Sequence, residues 1–151
     1  MINFQLQSDL RIIRMVVPWL VEILEKNGKF VAPAFPLPEE DDQDLLESWK
    51  DSLESGFKDD YRNLLTLLKA NKLPFGYIEI SEDLVDSVVQ SISQFRLFIR
   101  ESQLGEFTDI ELETGGFSLS RKSPDSQRGY LGYLILAEIQ ERLVEVMEPS
   151  I

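Results

Sequence analysis

With 151 residues, 43% of them hydrophobic and 28% charged, the chain has the size and make-up of one globular domain able to bury a core. Its 27 acidic against 15 basic residues leave a formal net charge of −12. That balance argues against nucleic acid or an anionic membrane as a partner, because no surplus of Lys and Arg exists to displace phosphate counterions. The absence of Cys and His excludes disulfides, thiol and imidazole chemistry and the commonest transition-metal ligands, so no cofactor is implied.

The N-terminus, MINFQLQSDLRIIR, is too polar for a signal peptide, and no apolar run approaches the roughly 18 residues of a membrane span. A soluble, cytoplasmic, single domain over residues 1–151 is the expectation. Ile2, Phe4 and Leu6 alternate with Asn3, Gln5 and Gln7, which reads as a short strand. Ser8 or Asp9 then caps a helix to about Lys26, ended by Asn27-Gly28. Two adjacent apolar stripes, Ile13-Val17-Leu20-Leu24 and Ile12-Val16-Trp19-Ile23, imply burial between two partners. Pro18 predicts a kink near Arg14–Val17, or a helix beginning afresh.

Three prolines in Phe30–Pro38 (FVAPAFPLP) read as a semi-rigid apolar strap, the alternative being a proline-rich docking motif. Glu39–Asp60 carries ten carboxylates against Lys50 and Lys58. Leu45, Leu46, Trp49 and Leu53 still recur there at helical spacing, giving an acidic amphipathic helix ended by Gly56. A separate helix follows over about Phe57–Ala70, with Tyr61, Leu64, Leu65 and Leu68 inward. Phe75–Ile80 is then a short strand or extended link.

Ser81–Gly105 is the longest clean helical pattern and the expected organiser of the fold. Ser81 is placed as N-cap, Val85, Val88, Ile92, Phe95 and Ile99 form one face, and Gly105 stands as a left-handed stop. Around Gly115-Gly116, Ile110–Leu119 reads as a small hairpin, with a helix over Thr108–Glu113 as the rival. Ser123, Pro124 and Asp125 open a last helix to about Met147. The fold class is therefore mainly α: a bundle of about five helices, with the first, central and last as its long members, plus an N-terminal strand and the small hairpin.

No catalytic constellation emerges. The acids Glu39, Glu40, Asp41, Asp42 and Asp44 lack the loop spacing of a calcium site and suit a helix start, so no metal is implied. Asp109, Glu111 and Glu113 read as the polar face of an edge strand. The notable group is basic: Arg96 and Arg100 one turn apart, with Arg121, Lys122 and Arg128 around the start of the last helix. In so acidic a protein these five form a candidate partner-binding or anion-binding patch. The alternative is that Arg96 and Arg100 pair with acids of neighbouring helices and tie the bundle together.

The segments FQLQSDLRIIRMVVPWLVEIL, ESGFKDDYRNLL, SISQFRLFIRESQLG and GYLGYLILAEIQERLVEVM resemble, in that order, a bacterial family of uncharacterised helical proteins best known from actinobacteria. It is catalogued as domain of unknown function two-zero-one-seven. Arg96 and Leu97 before Leu104-Gly105 carry the most specific part. The chain departs from the family's pattern in its glycine-bearing 110–119 segment and in Gln94, where the family has asparagine. The resemblance implies a helical, soluble bacterial protein, often encoded beside the adaptor of the Clp protease and so linked to regulated proteolysis or stress response. Together these readings point to a non-enzymatic protein-interaction or regulatory module. The alternatives are a small anionic-ligand binder or enzyme using the arginine group, and a homodimer built through exposed stripes of the first or last helix.

Overall fold

The computed structural model describes residues 1–26 and 43–148; for 43, 45, 46 and 48–57 it describes the backbone alone. The proline strap at Phe30–Pro38 and the acids Glu39 to Asp42 lie outside the described residues. Among those described, five α-helices surround one core and lie against a two-stranded antiparallel sheet.

Strand β1 (Ile2–Gln5) pairs with β2 (Tyr77–Ile80) in the register Ile2↔Ile80 to Gln5↔Tyr77. Alternation sends Ile2, Phe4, Ile78 and Ile80 into the core and leaves Asn3, Gln5, Tyr77 and Glu79 on the outer face. Two strands are marginal alone, so this sheet depends on the helices beneath it.

Helix α1 (Leu10–Lys26) begins where the Asp9 carboxylate accepts the Arg11 backbone N–H at 2.8 Å. It runs unbroken through Pro18, so no second helix starts there. Ile13, Val16, Leu20 and Leu24 are fully buried, which outweighs the hydrogen bond a proline removes. The expected double contact holds, with α1 packing on both α2 and α5.

Helix α2 (Gln43–Leu68) corrects the expected break at Gly56: the two shorter helices are one. The apolar pattern Leu46, Trp49, Leu53, Phe57, Tyr61, Leu64, Leu68 keeps its three-and-four spacing straight through the glycine. One interior glycine costs only about 1 kcal/mol, too little to interrupt a helix anchored by buried Leu64, Leu67 and Leu68. The bundle accordingly has four long helices, not three.

Helix α3 (Val85–Gln103) packs on α2 and α5 and has the expected inner face, with Val88, Ile92, Phe95 and Ile99 excluded from solvent. Its ends differ from expectation. Ser81 is extended and precedes a single 3-10 turn, Glu82–Leu84, without a side-chain cap bond. Gly105 is not left-handed; the helix stops at Gln103 because Leu104 turns into the core, where it is 2% exposed.

The hairpin at Ile110–Leu119 is absent. Its place is taken by the short helix α4 (Asp109–Thr114). Thr108 and Glu111 form a reciprocal capping box, and Gly115 at φ +70° closes the helix as a left-handed C-cap. The glycine that suggested a hairpin turn therefore works as a helix stop, and Asp109, Glu111 and Glu113 lie on a helix and not an edge strand. Helix α5 (Pro124–Met147) starts as expected, with the Ser123 hydroxyl accepting the Ser126 N–H.

Candidate functional site

The five candidate cations lie on or beside α3 and α5, each with its own surroundings. Arg96, on the flank of α3, lays its guanidinium over the Tyr133 ring of α5 at 4.4 Å and donates to Gln140 Oε1 at 2.8 Å. Gln140 in turn donates to the Val89 carbonyl and Ser93 Oγ, so one amide reads both helices. The Arg96 Nε is buried without a partner. Arg96 is thus held by an amide and a ring rather than by the carboxylate that was the expected alternative. One turn on, Arg100 does pair with a carboxylate, Asp109 at the start of α4. That contact raises the Arg100 pKa, chiefly through the hydrogen bond from its side chain.

Lys122 is partly enclosed. Its ammonium bonds the Glu106 carbonyl at 2.8 Å and Glu111 at 3.2 Å, and stands over the Phe107 and Phe117 rings. Those rings and Tyr130 pack with centroids 4.9 to 5.4 Å apart beneath the α4 segment. Glu106 accepts the Ser123 backbone N–H, which holds its carboxyl below the usual range; Glu111 is lowered first by the Thr108 backbone N–H and then by Lys122. Arg128 pairs with Asp125 at 3.7 Å and faces the Trp19 ring. Arg121 is exposed. Three of the five cations are therefore neutralised by carboxylates, Arg96 is tied to α5, and only Arg121 points its charge at solvent unaccompanied.

An open concavity among the described residues lies elsewhere. Its floor is the outer face of the sheet, with Asn3, Gln5, Tyr77 and Glu79, and its wall is the turn carrying Lys72 and Phe75; its volume is about 680 Å³. Local sequence fixes that wall. Leu73 is fully buried and opens the 3-10 turn Leu73–Phe75, Pro74 follows in its second position, and Gly76 at φ +83° closes it by donating to the Leu73 carbonyl at 2.8 Å. The Gly76 carbonyl then accepts the Leu6 N–H at 2.7 Å, joining turn to sheet. A Cβ at Gly76 would stand 2.9 Å from Leu10 Cδ2, so turn and α1 approach as closely as glycine permits.

This rigid turn displays Phe75 at 57% exposure and Tyr77 at 48%. Arg14 braces Phe75 from α1, with its guanidinium 5.6 Å from the ring centroid and its Nε donating to the Pro74 carbonyl. From the same turn Lys72 bonds Glu79 of β2 at 2.6 Å. Sequence reading placed no site residue here. The signal was present in Phe75-Gly76-Tyr77, two aromatics around a glycine in a strand-like run, but one outward face cannot be told from the other without the pairing to β1.

Among the described residues, no group of three or more Asp and Glu side chains is placed to hold a metal ion, and no helix is long and apolar enough to cross a membrane. The helices named for a homodimer expose Met15 on α1 and Leu134, Val144, Val146 and Met147 on α5. Comparison with known protein families, curated proteins and solved structures finds no match.

Proposed function

We propose that this protein is a non-enzymatic interaction module that recognises another protein. The observation that carries the reading is the pair Phe75 and Tyr77: two large aromatics about half exposed, the first on a turn anchored by buried Leu73, closed by Gly76 and braced by Arg14, the second opening β2 directly after it. Aromatic anchors held rigid before binding lose little entropy on association, which is how interaction surfaces gain affinity. The basic group supports the same reading indirectly. Arg100 and Lys122 carry carboxylate partners on α4 and Arg96 an amide and a ring on α5, an arrangement suited to holding α3, α4 and α5 together, and Arg128 pairs within its own helix, so these four are not arranged to clamp a free anion.

Affinity purification from the source organism, with mass spectrometry, tests the reading. A stoichiometric partner that survives physiological salt is the expected result, and recovery of nothing across a range of salt conditions would overturn it. A partner from the proteolytic machinery would give substance to the link that the family resemblance implies.

A further inference from the structure

The concavity on the sheet also indicates what kind of partner it takes. Its volume of about 680 Å³ lies within the roughly 300–1,000 Å³ of small-molecule clefts, which leaves room for one bulky side chain together with the short stretch of backbone that carries it. Its lining falls far short of the roughly 800 Å² per partner that a stable dimer needs, so a second copy of this chain cannot be held by it alone. Charge narrows the choice further. In a protein of net charge −12, the charges lining this face, Lys72 and Glu79, neutralise each other. At the Gln5–Tyr77 end of the sheet two outward backbone groups are already occupied, the Tyr77 amide by the Lys72 carbonyl and the Gln5 carbonyl by Arg142, which shortens the edge open to strand addition and favours the side-chain face.

What remains is the face itself: aromatic Phe75 and Tyr77 to flank an apolar group, and the exposed amides of Asn3 and Gln5 to meet a backbone. We propose that this concavity seats one bulky apolar side chain, aromatic or leucine-like, from a short uncharged segment of a partner protein. The proposal rests on the interaction-module reading and assigns it a place and a chemistry.

The test uses the full chain and a phage-displayed library of random twelve-residue peptides. Enriched peptides should share one aromatic or leucine anchor with little charge around it. In amide NMR spectra the strongest one should shift Asn3, Gln5, Tyr77 and Glu79 saturably. Phe75→Ser with Tyr77→Ser should weaken it at least tenfold, and Asn3→Lys, a second variant at an exposed position, should also weaken it. Ile110→Ser, on α4, should not. No enrichment, charged consensus peptides, or equal binding to all variants would overturn the proposal. A cellular partner retained equally by wild type and by the Phe75/Tyr77 variant would sink this location while leaving the module reading standing. A purification that recovers no partner with either protein would sink the reading itself.

Discussion

The contact between Arg96 and Tyr133 gives the clearest quantitative handle on whether the arginine group holds the fold. Arg96→Met keeps an apolar stem of similar length and removes the guanidinium. Lost with it are a stack on Tyr133 at 4.4 Å, worth about 0.5–2 kcal/mol at a half-buried site, and a charged hydrogen bond to Gln140 of about 1.5–3 kcal/mol. Against these stands the buried Nε without a partner, whose removal returns about 1–3 kcal/mol. The net expectation is a destabilisation of about 1–2 kcal/mol, read as a lower urea midpoint at unchanged slope. A double-mutant cycle with Tyr133→Leu should give a coupling of about 0.5–1 kcal/mol between the two side chains. Coupling below about 0.3 kcal/mol, within the scatter of independent sites, would refute the architectural role. So would an Arg96→Met protein of unchanged stability that had lost its partner.

Gly56→Ala should stabilise the protein by about 0.5–1 kcal/mol in thermal or urea unfolding, because Gly56 lies inside α2; a glycine acting as a left-handed stop would give the opposite sign. Gly76→Ala should cost more than about 1 kcal/mol in the same assay, since its φ of +83° and the 2.9 Å approach to Leu10 both oppose a side chain. Glu106 and Glu111 have lowered pKa values in the folded state. Their contribution is therefore fully present above the ordinary glutamate value of about 4.3 and is lost as pH falls through the lowered folded values. Urea midpoints measured from pH 7 down to pH 3 should fall less steeply for Glu106→Gln with Glu111→Gln than for wild type, and parallel curves would contradict the assignment.

Much of this fold was legible because periodicity reports burial directly. Val88, Ile92, Phe95 and Ile99 predicted the inner face of α3, and Ser123-Pro124 predicted the start of α5, since those signals are local. The misreadings came where one residue type serves opposite ends. By sequence Gly56, Gly105 and Gly115 suggest a stop, a stop and a turn; in the structure they are a helix interior, a residue beyond a helix already ended, and a C-cap. What decided each was nonlocal or reciprocal: the continuous stripe across Gly56, the burial of Leu104, and the capping box of Thr108 with Glu111. The cations were visible as a group in the sequence, but their partners Gln140, Tyr133 and Asp109 were not, because those pairings depend on how α3 meets α5 and α4. The concavity was invisible for the same reason, being made by two strands more than seventy residues apart.

The most direct test of the whole account is the affinity of the captured partner for wild type, for Phe75→Ser with Tyr77→Ser, and for Arg96→Met, measured by calorimetry. The account predicts at least a tenfold loss for the aromatic pair and near-native binding for folded Arg96→Met. Native affinity without the aromatics, combined with loss on changing Arg96, would contradict it and return recognition to the arginine face of α3.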